Sequence, residues 1–262
     1  MNSLFIPSSS TLLPSLPVHY QPSLNLHYPK LHYNPNFNSH HKNPTFISLC
    51  TTSQPAGTVA MVNFEDLHEK DWSFLEQDDL NTPEEQTLKA NLIIAEGEVK
   101  GNSKVLVSIP SESFVDRLVE IDPLVVLVAH DSLFVLAGIK EKYDEVKCWQ
   151  GELIYVPNKW APFHVVFLCC LPALPFDLDQ IFGVVAKHCF EGTRLVISYP
   201  QGREGLELQR KEHPDVVISD LPNKLSLEKV AADHSFEITK FVDEPRFYLA
   251  TLKYFGPVSF FQ

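Results

Sequence analysis

The chain has 262 residues, 44% of them apolar, which suits one large domain or two small ones with a real core. Its formal charge is −12 and unevenly spread: the first acid is Glu65, so the 198 residues from there onward carry 19 basic and all 33 acidic groups. A body of net −14 repels nucleic acid and anionic lipid. No apolar run approaches the roughly 18 residues of a membrane helix, so membrane insertion is excluded as well.

Residues 1–64 contain no Asp, Glu or Arg but eight prolines, nine serines and five histidines. Prolines this dense cannot form a packed core, and an acid-free, Ser-rich N-terminus is the composition of an organelle transit peptide. The first arginine is Arg117, whereas mitochondrial presequences are Arg-rich, so the address fits the chloroplast stroma, with cleavage near Phe46-Ile47-Ser48-Leu49-Cys50. The bland alternative is a disordered tail. His19, His27, His32, His40 and His41 are irregularly spaced without Cys or carboxylate partners, and Cys148, Cys169, Cys170 and Cys189 show no C-x-x-C spacing. Neither a metal site nor a disulfide framework is indicated.

Thr82-Pro83-Glu84-Glu85 is a helix start with a capping box, after which Leu88, Leu92 and Ala95 are expected to share the buried face and Gly97 to close the helix. Val105–Val107, Leu124–Ala129, Val165–Cys170 and Leu195–Ile197 are continuous β-branched-rich runs, as expected of parallel strands covered on both faces. Lys147–Val156 is a weaker strand. Between them, Phe114, Val115, Leu118 and Val119 form one helical face, and Leu178, Ile181, Phe182 and Val185 another, with Gly192 as the latter's cap. Polar helices are expected over Glu204–Lys211 and Ser226–Ala232, then two strands, Phe236–Val242 and Phe247–Tyr254, around Asp243-Glu244-Pro245. The apolar tail Phe255–Gln262 could cover this body or a neighbour. The organisation reads as 1–58 transit peptide, 59–102 linker and N-terminal helix, and 103–262 an α/β domain: a Rossmann-like doubly wound sheet, mostly parallel, with a C-terminal antiparallel hairpin.

From Ser103 to Tyr254 this order resembles the class I S-adenosylmethionine-dependent methyltransferases, whose sheet is seven-stranded and ends in such a hairpin. Cys148-Trp149-Gln150-Gly151-Glu152 looks like the family's third strand and Gly-Asp, whose acid recognises the adenine amino group. Phe163-His164-Val165-Val166-Phe167 looks like the fourth strand, Gly192 to Ser198 like the fifth, and Phe236-Glu237-Ile238 to Phe247-Tyr248-Leu249 like the closing hairpin. The resemblance implies S-adenosylmethionine as cofactor, held by Ser108, Ser111, Asp131 and Glu152. It also implies methyl transfer to a small-molecule or protein acceptor, with His164 as candidate base. The sequence departs from the pattern in its cofactor loop, Ser108-Ile109-Pro110-Ser111-Glu112-Ser113, which has no glycine, and in the acid after the second strand, displaced to Asp131.

Each residue also has a plainer reading. Asp131 holds a ribose or caps the helix beginning at Ser132; Glu152 meets an adenine or is a surface carboxylate; His164 is a base or a structural residue. The serines of the 108–113 loop bind a ligand or cap a helix, and Tyr199–Gly205 lines an acceptor pocket, with Arg203 on an anion, or is an ordinary loop. Two functions follow: a plastid S-adenosylmethionine-dependent methyltransferase, or a non-catalytic relative serving as a stromal binding or assembly factor. A dinucleotide oxidoreductase is discounted for want of a Gly-rich pyrophosphate turn.

Overall fold

The computed structural model describes residues 69–256 apart from 79, all within the compact unit Met61–Gln262. The expected transit peptide with its histidines and Cys50, and the end of the apolar tail, lie outside the described residues. Seven strands form one sheet: β1 (Lys104–Ser108), β2 (Val125–His130), β3 (Lys147–Gln150), β4 (Phe163–Leu168), β5 (Cys189–Tyr199), β6 (Phe236–Glu244) and β7 (Phe247–Tyr254). Their order is β3-β2-β1-β4-β5-β7-β6, parallel from β3 through β5, with β7 antiparallel to both β5 and β6. The expected α/β sheet with its terminal hairpin is thus present.

The continuous apolar runs fill two cores because successive side chains on a strand point to opposite faces. Leu106, Leu127, Val166 and Ile197 meet the helices α4 (Leu178–Lys187), α5 (Gly202–Glu212) and α6 (Lys224–Asp233) through Phe182, Leu206 and Leu227. Val105, Val107, Val128 and Phe167 meet α1 (Pro83–Glu96), α2 (Glu112–Val119) and α3 (Leu133–Lys142) on the other face. No helix among the described residues is long and apolar enough to cross a membrane.

The Thr82–Glu85 capping box forms as its spacing predicts, but α1 is rotated from the expected orientation. Leu88, Leu92 and Ala95 face outward, and Ile93 and Ile94 are buried. The rotation is fixed at the middle of the helix and at its C-terminal end. Lys89 Nζ donates to Asn81 Oδ1 and to the carbonyls of Pro200 (3.0 Å) and Arg246 (2.7 Å), while Gly97 lies against the Phe167 ring. Lys147–Val156 is strand only to Gln150; Leu153–Tyr155 is a 3-10 turn. Gly192 does not cap α4, which ends at His188. It lies inside β5, where the pairing with β4 shifts register between Phe163 and Val165.

Two glycines separate conformational from steric cost. Gly202, at φ 60°, opens α5 against the hairpin turn, and a Cβ there would run into the Phe247 nitrogen and the Pro245 carbonyl. Gly192, at φ 85°, has nothing within 4 Å of a Cβ position. Gly192→Ala should therefore cost about 1–2 kcal/mol in urea denaturation, the conformational term alone. Gly202→Ala should cost about 3 kcal/mol or more, because backbone must move. Equal losses would show that the hairpin turn does not press on α5.

Candidate functional site

In an open α/β sheet the binding crevice lies outside the carboxyl ends of the strands, where the strand order reverses. Here that point falls between β1 and β4, the two central parallel neighbours from which the chain winds outward in opposite directions. Ser108 ends β1 and is buried, and its carbonyl accepts from Cys169 N (3.1 Å) just after β4. Ile109 follows at φ 49° with its side chain buried, a left-handed conformation that disfavours a β-branched residue. The loop therefore takes a glycine-type backbone turn without a glycine, and Pro110 removes a donor from it. Ser111 is the N-cap of α2: its hydroxyl accepts from Phe114 N (3.2 Å) and contacts Ser113 Oγ (3.0 Å).

Asp131 follows the end of β2 but does not cap α3; Ser132 does, accepting from Val135 N (3.1 Å). Asp131 pairs instead with Lys70 (3.2 Å). Glu152 stands after Gly151 at the end of β3. Burial raises its carboxyl above the usual range, the neighbouring Asp131 adds to the rise, and Lys70 opposes it. Asp131 and Glu152 are thus brought together around one lysine. His130, the last residue of β2, is fully buried. Its Nδ1 accepts from Ser132 N (2.9 Å), so the neutral ring carries its proton on Nε2.

His164 is not at this site. It is the second residue of β4, at the amino edge of the sheet, about 13 Å of strand from the carboxyl end at Leu168. There its Nδ1 accepts from Lys104 N (3.0 Å) and its ring lies on Phe190 (4.5 Å between centroids), contacts that lie away from the crevice. The Arg203 guanidinium makes a two-point pair with Asp243 (2.8 Å each) and donates to the carbonyls of Leu221 and Pro222. Among the described residues no group of three His, Cys, Asp or Glu could hold a metal ion.

The crevice is crossed by residues of the expected linker. Glu69–Gln77 forms a strap over the carboxyl ends of β2, β1, β4 and β5. Glu69 accepts from the Ser132 hydroxyl and from Phe134 N (3.4 Å) at the start of α3. Trp72 is buried edge-on against the His130 ring (4.7 Å), and Phe74 is buried beside His213 (5.1 Å). Glu76 accepts from Glu112 N at the start of α2, and the Gln77 carbonyl accepts from Gln201 Nε2 (3.0 Å) after β5. Among the described residues neither Trp72 Nε1 nor His130 Nε2 has a hydrogen-bond partner. The one signal in the sequence was Trp72-Ser73-Phe74-Leu75, an aromatic cluster within a strongly acidic stretch.

A cavity of about 110 Å³ remains behind the strap, lined by Phe74, Ser111, Cys169 and Tyr199 among others. A second, of about 340 Å³, lies outside it against Pro110, Glu112 and Phe134. Ligand sites usually run from about 300 Å³ upward and enclose most of the ligand. The inner cavity is too small for a nucleoside, and the outer one is cut off from the strand ends by Trp72. With Trp72 and Phe74 seated there, the residues present do not fit S-adenosylmethionine.

No family description and no curated protein matches this sequence. Solved structures do. An S-adenosylmethionine-dependent methyltransferase from Mesorhizobium loti is similar at 13% identity, covering 62% of this chain and 96% of that one, with a TM-score of 0.52. The N-methyltransferase NodS from Bradyrhizobium japonicum (9% identity, 67% and 99% covered) and geranyl diphosphate C-methyltransferase from Streptomyces coelicolor (8%, 67% and 87%) each give 0.52. The described body therefore has the fold of the class I S-adenosylmethionine-dependent methyltransferases.

Burial lowers the His130 pKa from 6.5 to about 4, with Asp131 opposing and Lys70 assisting. The neutral ring's contribution is thus fully present above pH 6.5 and lost as pH falls toward 4, because the unfolded chain takes up the proton first. At pH 5 the loss attributable to His130 should be about 2 kcal/mol relative to pH 7.5, read from urea midpoints. His130→Phe should lack that part of the slope. A variant with the parent's slope would show that His130 is not held neutral by the strap.

Proposed function

We propose that this protein is a methyltransferase-fold binding or assembly factor of the plastid stroma that does not take up S-adenosylmethionine in its closed form. One observation carries the reading: Trp72 and Phe74 are built into the core where the crevice would be, over a loop that has Ile109 and Pro110 in place of glycine. Methyl transfer needs a bound donor positioned in line with its acceptor, and here the donor's place is taken. The fold does not by itself restore the activity, since one scaffold serves many functions.

A second reading, an S-adenosylmethionine-dependent methyltransferase acting on a small-molecule or protein acceptor, is favoured by one feature: Asp131 and Glu152 still stand together after β2 and β3. Calorimetric titration of the full chain separates the two. The closed-crevice reading expects no saturable heat with S-adenosylmethionine at concentrations up to about 100 µM. Saturable micromolar binding that is lost in Glu152→Ala would establish the second reading instead. The stromal address rests on the composition of residues 1–64. Fused to a fluorescent reporter, that segment should deliver it into plastids; a reporter left in the cytosol would remove the address.

A further inference from the structure

We propose that β3 is a docking edge for a second copy of this chain, pairing antiparallel with its own image across a twofold axis at Trp149. The contact lies on the outer edge of the sheet and is independent of what the crevice holds. β3 and β6 are the two edge strands, and they are built differently. β6 exposes Glu237, Lys240, Asp243 and Glu244 and shifts register against β7 between Ile238 and Lys240. Exposed charge and a bulge are two of the devices by which an edge strand avoids pairing with another chain. β3 has no register shift, and Lys147 is the one charged residue among its four.

The backbone of this edge is self-complementary. Gly151 N donates to the His130 carbonyl, so Trp149 and Lys147, two and four residues before it, also turn their backbone groups to β2. Those of Cys148 and Gln150 therefore face outward, and among the described residues they have no backbone partner. Val146 shares that orientation but is already used. Its N–H donates to the Tyr143 carbonyl (3.3 Å), and its carbonyl accepts from Lys140 Nζ (3.2 Å). One antiparallel register serves both open residues at once. With the axis at Trp149, Cys148 of each copy lies opposite Gln150 of the other, and four hydrogen bonds use every outward group of the two. An axis at Cys148 would set Gln150 against Val146, whose groups are taken.

Apolar side chains flank the edge on both faces of the sheet. On one face Trp149 is half-buried and meets the half-buried Trp160 edge-on (5.8 Å between centroids). Across the axis the two Trp149 indoles become an aromatic cross-strand pair. On the other face α3 stands over β3, with Cys148 Sγ 3.9 Å from the Leu136 carbonyl. Leu133 and Lys140 share one side of α3, two turns apart, and Lys140 reaches the start of β3. Leu133, 48% exposed, therefore points along the outer edge. Charge favours a copy of this chain as the occupant. The body carries −14, which opposes self-association, but residues 133–151 hold three lysines and three acids, so two copies meet there without net repulsion. The edge is about 16 Å long and three layers deep. That gives a contact of roughly 600 Å² per copy, at the low end for specific interfaces.

Sedimentation velocity of the full chain between about 1 and 100 µM should show a monomer passing to a dimer, with a micromolar dissociation constant. Gln150→Pro removes one outward N–H per copy at an edge position where a strand tolerates proline. It should weaken the dimer at least about tenfold. Leu133→Glu leaves both cores intact and puts an acid in the first turn of α3, where a helix accepts it. It should weaken the dimer at least about tenfold as well, because each carboxylate meets its own image at the seam. Gln150→Cys tests the register, since directly opposite residues of this kind stand about 5.5 Å apart, within reach of a disulfide. Oxidised with diamide, that variant should form a covalent dimer whose peptide map joins residue 150 to Cys148 of the other copy.

A chain that stays monomeric at about 100 µM overturns the proposal. So does a dimer that survives both Gln150→Pro and Leu133→Glu while the variants keep the parent's near-ultraviolet circular dichroism, because the contact then lies elsewhere. A covalent dimer joined from Cys148 to Cys148 would move the axis off Trp149 and sink the register. None of these variants alters Trp72, Phe74 or Glu76, so the result is read separately from any test of the crevice.

Discussion

The contact between Trp72 and the imidazole of His130 decides the state of the whole crevice. It joins a segment with no regular strand to the end of a central parallel strand, and its ring centroids are 4.7 Å apart. Burying two aromatic side chains removes roughly 350 Å² from water, or about 9 kcal/mol as an upper figure. Four hydrogen bonds at the strap's ends, through Glu69, Glu76 and Gln77, add about 4 kcal/mol. Ordering nine residues costs about 13 kcal/mol at about 1.5 kcal/mol each. The terms nearly cancel, so closure depends on the aromatic pair. Remove the indole, and Phe74 with the polar ties falls well short of the ordering cost.

The sheet was legible because its signal is local and redundant. Val105–Val107, Val125–Val128 and Val165–Phe167 are uninterrupted apolar runs, and any strand buried on both faces must read that way. The capping box at Thr82 and Glu85 is equally local, since both partners lie within one turn. The orientation of α1 was not legible. Its apolar residues lie on more than one side, and the face that is buried was selected by contacts far along the chain: Lys89 with Pro200 and Arg246, and Gly97 with Phe167. Gly192 misled for a related reason. A positive φ serves a helix cap and a strand bulge equally, and only the pairing of β5 with β4 distinguishes them.

The site divides along the same line. Asp131 and Glu152 follow strands that were legible, so their neighbourhood could be inferred from order alone. The strap could not. Its partners are His130, Glu112, Gln201 and His213, residues 35 or more positions away, and nothing within Glu69–Gln77 states that it returns across the sheet. His164 shows the converse, a residue whose strand was legible but whose edge of the sheet was not. Its place in a recognised strand pattern was right, but a side chain near a strand's amino end faces the wrong edge of the sheet for a crevice defined by carboxyl ends.

Ile109 shows how the loop after β1 relates to the strap. A left-handed backbone at a β-branched residue costs about 1–2 kcal/mol, comparable with what burying its side chain returns. The turn therefore keeps the shape that glycine would give while presenting an apolar side chain to the core that Trp72 and Phe74 also join. The electrostatics run in the same direction. Lys70 pairs with Asp131 and offsets the rise that Asp131 causes at the Glu152 carboxyl.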